Sequence, residues 1–322
     1  MSTGRRQVLL RAAQLLAVAI ESWALFRMLG VRLSELETVR AADWRPAAAP
    51  LVLSTAVLLA MYLAHALLWR TVMTDMGVGR PTIRTTIRLY FLAGLGRYVP
   101  GKFWQVAGIA VLSNRAGLPP VAATAAALLG QLAFLLSGAF FLAVAMPTGR
   151  GALAAAAGLL GALGALFVAQ SAPGQRLAAA IRTRVPRLGP ALDLATNVRA
   201  RHAARWGLAY ALTWVLLGGA FVLFVASFYP DAGGHPRYVA GTVAASYLGG
   251  YIAVFAPAGI GVREGLMGVL LANVMPAPAA LVVSLASRLW FTAVELLPLL
   301  ALPLLRGGEK AAAERNPIPE AP

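Results

Sequence analysis

The sequence predicts an all-α integral membrane protein with six membrane-spanning helices and two re-entrant helical hairpins, arranged as two inverted-topology repeats. The first supporting observation is composition: 59% of the 322 residues are hydrophobic and the mean hydropathy is +0.73, more apolar sequence than a soluble core could hide. The second is a pair of apolar segments broken by glycine and proline. The third is a constant spacing that aligns those two segments and the helices around them.

The formal net charge is +16 and is carried almost wholly by arginines in loops between apolar runs. The positive-inside rule and contact with anionic lipid explain that placement better than nucleic-acid binding does, so we expect no nucleic-acid partner. Heavy use of alanine, glycine and arginine indicates a bacterial origin. We therefore expect a multi-pass protein of the bacterial cytoplasmic (inner) membrane, with both termini cytoplasmic.

The sequence lacks the metal-binding patterns and catalytic motifs that are typical of enzymes. It has no cysteine, and its three histidines are far apart without acidic neighbours at ligand spacing, so we expect no metal site and no cofactor. It also has no Walker loop, no GxSxG and no HExxH motif. The sequence therefore predicts that the protein is not an enzyme.

Hydropathy places six spans within a single transmembrane domain of residues 1–305. Residues 8–29 form the first span if they are not a cleaved signal peptide, and apolar sequence continuing through Phe26 favours the uncleaved helix. The other predicted spans are 50–69, 120–146, 151–170, 206–228 and 276–306. Residues 171–205 are a basic cytoplasmic loop, and residues 306–322 are polar and proline-rich, which predicts a disordered cytoplasmic tail.

Two further apolar segments, 87–113 and 238–275, are interrupted near their middle. Each arm of the first holds about 13 residues, about 20 Å of helix, which is too short for a hydrocarbon core of about 30 Å. A re-entrant hairpin fits these lengths, and a single kinked span is the competing interpretation. Two hairpins that enter from opposite sides keep all basic loops on one side, which the charge distribution favours.

The two broken segments match at one offset. Pro100 and Pro257 are 157 residues apart, and the same spacing pairs Tyr90 with Tyr247 and Phe134 with Phe291. It also pairs Pro119 with Pro276 and Gly108 with Gly265. We therefore predict repeats of about residues 8–146 and 151–305, in opposite orientation, a pattern that points to a transporter site at the bilayer midplane. Kinks copied by duplication, without a functional role, are the alternative.

The chemistry at the breaks predicts a site for a lipid phosphate. The outgoing arm of each hairpin is a helix whose N-terminal N–H groups and dipole favour an anion. Basic side chains stand beside these ends, and the predicted phosphate-binding residues are Arg97, Lys102, Arg263 and Arg288. The predicted helix-break residues are Pro100, Gly101, Pro257, Gly259 and Gly261, and the predicted charge partners are Glu264, Glu295 and Gln131. The alternative is purely structural pairing of Arg263 and Arg288 with Glu264 and Glu295.

Three motifs carry a resemblance to a known family: GRYVPGKFWQ at 96–105, PAGIGVREG at 257–265 and SRLW at 287–290. With them, residues 8–305 resemble the transmembrane flippase region of lysylphosphatidylglycerol synthases. The resemblance implies translocation of an anionic or modified lipid between leaflets. It carries the roles of site residues onto Pro100, Gly101, Lys102, Gly259, Gly261, Arg263, Glu264 and Arg288. Nothing in this sequence could fold as the soluble aminoacyl-transferase domain of the bifunctional members, so lysyl transfer is not expected.

The sequence thus predicts a flippase for an anionic phosphate-bearing lipid, either a phospholipid or a polyprenyl-phosphate-linked lipid, working as one repeat rocks against the other. The substrate partner is a membrane lipid within the bilayer, and a homo-oligomer or a lipid-modifying enzyme partner is left open. Two alternatives stay open as well. One is a secondary transporter of a small water-soluble anion, and the other is a non-transporting partner of a lipid or cell-envelope enzyme.

Overall fold

The computed structural model describes residues 45–98, 104–146, 176, 179–180, 183–184, 198–253 and 261–300. All regular secondary structure in these residues is helical. The helices are α1 (Ala48–Asp75), α2 (Ile83–Gly94), α3 (Trp104–Arg115), α4 (Pro120–Ala145), α5 (Ala200–Phe228), α6 (Pro236–Ile252), α7 (Val262–Leu271) and α8 (Ala277–Leu300). Short 3-10 helices at Leu95–Tyr98 and Pro230–Gly234 follow α2 and α5.

The four long helices α1, α4, α5 and α8 are long and apolar enough to cross a membrane. They correspond to the second, third, fifth and sixth predicted spans. The described residues confirm the all-α class, and these four helices support a membrane protein. The predicted spans at 8–29 and 151–170 and the predicted tail at 306–322 lie outside the described residues. The fifth helix begins at Ala200, six residues earlier than expected, so Arg201 and Arg205 lie on the helix and not in the preceding loop.

Helices α1 and α5 form the centre of the bundle and run antiparallel. At one end the backbone N–H of Ala47 donates to the carbonyl of Ser227 over 2.8 Å. At the other end Asp75 accepts hydrogen bonds from Arg205 and from the indole N–H of Trp206. Because both ends are tied, the two helices form one rigid central pair.

The packing of the helices follows a regular pattern. Helix α1 packs on α2, α4 and α8, and α5 packs correspondingly on α6, α8 and α4. Helix α2 packs on α3 and α8, as α6 packs on α7 and α4, and the α3–α4 contact matches the α7–α8 contact. The 157-residue offset relates α1, α2, α3 and α4 to α5, α6, α7 and α8 in that order. Each contact named for a helix of the first four therefore has a counterpart in the second four.

The broken segments have short arms that pack against each other. Helix α2 has 12 residues and α3 has 12, while α6 has 17 and α7 has 10. Gly96 makes the first break possible, because a Cβ at this position would lie 2.6 Å from the backbone of Trp104. Gly261, with φ of 81°, adopts a left-handed conformation that glycine tolerates best, directly before α7.

Candidate functional site

A cavity of about 260 Å³ lies where the short arms meet the long helices. Each of the helices α1 to α8 contributes to its wall: Tyr62 from α1, Tyr90 from α2, Gln105 from α3, Gln131 from α4, Tyr210 from α5, Tyr247 from α6, Arg263 from α7 and Arg288 from α8. Arg97, in the 3-10 helix of the first break, also lines it. Cationic side chains from both broken segments therefore face one cavity.

Two ion pairs neutralise two of the cavity arginines. Arg97 contacts Glu295 of α8 over 3.0 Å, and Arg288 contacts Glu264 of α7 over 3.1 Å. The carboxylates are nearly inaccessible, with exposed side-chain fractions of 10% for Glu295 and 7% for Glu264. Each pair joins a broken segment to the last long helix, because ionised groups so deep in an apolar bundle need a partner.

Arg288 and Glu295 both lie on α8, but each takes an ion partner from a broken segment. The ion partner of Arg288 among the described residues is Glu264, and Glu295 pairs with Arg97. Seven residues of helix separate Arg288 from Glu295 on one face, but the neighbouring elements bring closer partners. The structural-pairing alternative is thus realised for Arg288 and does not extend to Arg263.

Arg263 is held differently. Its guanidinium carbon lies 4.2 Å from the centroid of the Phe291 ring and 5.2 Å from that of Tyr247. Within the described part of the chain it makes neither an ion pair nor a hydrogen bond. A cation over aromatic faces is attracted to the ring quadrupole, which orients the side chain without using its N–H groups. The five donors of the guanidinium are therefore available to a ligand.

Two other donors in the wall lack acceptors. The Nε of Arg97 and the side-chain nitrogen of Gln131 are buried and have no hydrogen-bond partner among the described residues. Buried polar groups without partners are rare in folded proteins, and a ligand or ion is one recognised reason for them. Together with Arg263 they make the described wall donor-rich. The three arginines of this wall exceed the two carboxylates that pair with them, Glu295 in the wall and Glu264 outside it, by one positive charge.

The N-terminus of α7 differs from the predicted open anion site. The Oε2 of Glu264 accepts a hydrogen bond from the N–H of Gly261 over 2.8 Å, while its Oε1 accepts from Arg288. Glu264 thus caps the helix that it belongs to and occupies part of its positive end. The prediction that the bare helix end binds the anion is weakened here, and the arginine side chains carry more of the charge.

The structure describes only part of the predicted site. Five predicted residues line the cavity: Arg97, Gln131, Arg263, Arg288 and Glu295. Glu264 does not line it but pairs with Arg288. Lys102, Pro100, Gly101, Pro257 and Gly259 lie outside the described residues, and Gly261 forms the start of α7. A cluster of three or more His, Asp or Glu side chains that could hold a metal ion is not found in the described ranges.

Sequence reasoning missed the contribution of the central pair. His65 and Tyr62 of α1 and Tyr210 of α5 line the cavity, although they stand in long apolar spans. A histidine in an apolar helix is ordinarily a satisfied core residue, and Tyr62 three residues before it is equally compatible with packing. The 157-residue spacing did indicate part of the wall. It pairs Tyr90 with Tyr247 and Phe134 with Phe291, and all four of these residues line the cavity.

Comparisons with known proteins add no family assignment: no protein-family model, no curated protein sequence and no solved structure matches the chain. The resemblance to the flippase region of lysylphosphatidylglycerol synthases therefore stays a prediction from three short motifs.

Proposed function

We propose that this protein is a lipid translocase, without enzymatic activity, that moves an anionic phosphate-bearing lipid between the leaflets of a bacterial inner membrane. The lipid is a phospholipid or a polyprenyl-phosphate-linked lipid. The observation that carries the proposal is Arg263, an arginine inside a membrane bundle whose guanidinium lies over Phe291 and makes no salt bridge with a described residue. A charge at this depth is costly and marks a functional site by default.

The chemistry of the free donors favours phosphate. The planar guanidinium fork matches two phosphate oxygens at once, and the Nε of Arg97, which has no partner among the described residues, supplies a further hydrogen bond. In our proposal Lys102, predicted beside the first break, adds a point charge. Arg288 and Glu264 position the start of α7, so that Arg263 is presented to the cavity.

A lipid is favoured over a water-soluble anion because the cavity wall includes residues that also face outward. Leu128 on α4 is 53% exposed and Tyr251 on α6 is 45% exposed, and both line the cavity. An apolar exposed side chain on a membrane-spanning helix faces hydrocarbon. A headgroup in the cavity could therefore keep its acyl chains in the bilayer beside Leu128.

The proposed movement is in the broken segments, not in whole repeats. The expected rocking of one repeat against the other would separate α1 from α5, yet these helices are tied at both ends and pack along their length. We propose that α2–α3 and α6–α7 are re-entrant hairpins from opposite membrane faces, in inverted repeats, and that they shift against the fixed α1–α5 pair. The paired helix contacts and antiparallel α1 and α5 support this arrangement.

The experiment is lipid translocation in reconstituted vesicles with fluorescent anionic phospholipids. Loss of one charge-assisted contact costs about 1.5–3 kcal/mol, so Arg263→Ala should slow translocation by about 10- to 100-fold. The matched control is Arg115→Ala, at an exposed arginine near the end of α3, which should leave the rate unchanged. Normal translocation by a well-expressed Arg263→Ala protein would contradict the proposal. Uptake of a small water-soluble anion into such vesicles, without lipid movement, would favour the secondary-transporter alternative.

A further inference from the structure

The cavity has a second group of polar side chains that carry no charge, and the mechanism above leaves most of it unused. Its members come from four helices: His65, Tyr90, Gln131 and Tyr210. Tyr210 is only 4% exposed, and His65 is 9% exposed. We call these four residues the neutral subsite.

The neutral subsite has hydrogen-bonding groups that face the cavity. Within the described residues, the side-chain nitrogen of Gln131 is buried and has no acceptor, and the side chains of Tyr90 and Tyr210 line the same cavity. Burying a polar group such as the Gln131 amide without a partner costs free energy, so its position in this wall calls for a ligand or ordered water. The hydroxyl of Tyr210 lies directly over Gly130, where a Cβ would approach it to 2.4 Å.

The hydroxyl of Thr213 links His65 to the backbone of α5. It lies 2.7 Å from the carbonyl of Tyr210 and 2.9 Å from the Nε2 of His65. When this hydroxyl donates its single proton to the carbonyl, it accepts from Nε2. In that tautomer the Nδ1 of His65 carries a lone pair that can accept a hydrogen bond.

The neutral subsite therefore combines donors and acceptors without formal charge. Gln131 donates, the Nδ1 of His65 accepts, and the two tyrosine hydroxyls do both. Hydroxyl groups match such a mixture because each of them also donates and accepts. An ammonium group matches poorly, because the carboxylates near the cavity, Glu295 and Glu264, are already engaged by arginines.

We infer that the transported lipid carries a hydroxylated headgroup, a polyol or a sugar, beyond its phosphate, and that the neutral subsite binds those hydroxyls while Arg263 binds the phosphate. This inference rests on the proposed function and adds the class of headgroup to it. A site built to hydrogen-bond substrate hydroxyls discriminates strongly against an analogue that lacks them, because its own polar groups are then left unpaired.

The test compares two diacyl phosphodiesters of equal charge and similar ring size, phosphatidylinositol and the corresponding cyclohexanol ester, which has no ring hydroxyls. Binding to the detergent-solubilised full chain is measured by native mass spectrometry, and protein-dependent translocation is measured in vesicles. We expect at least about tenfold preference for phosphatidylinositol in both assays. Tyr210→Phe and Gln131→Leu should each reduce the ratio several-fold, and the control Tyr229→Phe, outside the cavity wall, should keep it.

The outcomes separate the two proposals. Equal binding of both lipids by the unmodified protein, or a preference that Tyr210→Phe and Gln131→Leu leave intact, would overturn the neutral subsite even if both lipids are translocated. Preferential binding of phosphatidylinositol without translocation of either lipid would support the subsite and contradict the flippase proposal.

Discussion

The guanidinium of Arg263 lies 4.2 Å from the centre of the Phe291 ring. The arginine at the start of α7 is therefore positioned by an aromatic residue of α8. The aromatic face compensates part of the cost of a buried cation and occupies none of its N–H groups, which have no hydrogen-bond partner among the described residues. The arrangement presents a charge that is oriented and still available. It depends on Phe291 as much as on Arg263.

Replacing Phe291 should therefore weaken transport without removing the charge. A cation–π contact contributes about 0.5–2 kcal/mol, so Phe291→Leu should slow lipid translocation by about 2- to 30-fold. The matched control is Phe140→Leu on the exposed face of α4, which should have no effect on the rate. Identical rates in both variants would show that the ring does not position Arg263.

The ion pair between Arg97 and Glu295 should dominate the stability of the first break. Glu295→Gln leaves Arg97 without its carboxylate, and breaking a largely buried pair costs about 3 kcal/mol. Thermal unfolding in detergent should show a clearly lower Tm for this variant. The double variant Arg97→Met with Glu295→Met removes both charges and should recover part of the loss, whereas a double variant no more stable than Glu295→Gln would argue against uncompensated charge as the cause.

The contact between α4 and α5 depends on Gly138. A Cβ there would lie 2.3 Å from the indole of Trp214, which stacks on Phe134 and donates to its carbonyl over 2.8 Å. Gly138→Ala should destabilise the protein by about 1–3 kcal/mol through overpacking.

The control for this change is Gly219→Ala on α5, where a Cβ would meet nothing within 4 Å. The added methyl group should stabilise the helix slightly, because alanine has the higher helix propensity. Equal thermal stability of the two variants would contradict the packing argument.

Disulfides can test which parts move, because the natural chain contains no cysteine. A Cβ on Gly108 would lie 3.6 Å from that of Ala93, and a Cβ on Gly241 would lie 3.3 Å from that of Ala145; both are close to disulfide spacing. The pair Ala93→Cys and Gly108→Cys locks α2 to α3 within one hairpin and should allow translocation. The pair Ala145→Cys and Gly241→Cys locks α6 to α4 and should block translocation until a reductant is added.

The opposite result for the two disulfides would indicate that each hairpin opens internally. Unimpaired translocation with both disulfides formed would exclude a moving second hairpin. Formation of each bond is checked by the mobility of the protein on non-reducing gels after proteolysis between the two positions.

Much of the fold follows from local sequence. Runs of apolar residues and the prolines at the starts of α4 and α8 were sufficient to find the four long helices, with errors of up to six residues at the end of α1 and the start of α5, since hydropathy and proline act locally. The cavity arginines were also predictable, because Arg97, Arg263 and Arg288 are charges inside apolar sequence. Their ion partners were not, because the choice of Glu264 over Glu295 by Arg288 depends on which helix packs closest.

The neutral subsite could not be predicted from the sequence, for a different reason. His65 and Tyr210 each look like core residues in an apolar span, and only the packing of α1 against α5 brings them to one wall. The capping of Gly261 by Glu264 was likewise hidden, because the glutamate could equally have paired with its neighbour Arg263.

The most direct test of the central claim is native mass spectrometry of lipids that co-purify with the protein and with Arg263→Ala. If Arg263 holds the phosphate of a lipid, the unmodified protein should retain an anionic phosphate-bearing lipid, and the variant should lose it while keeping the same helical content. Retention of the same lipids by both proteins, or co-purification of neutral lipids alone with the unmodified protein, would contradict the account.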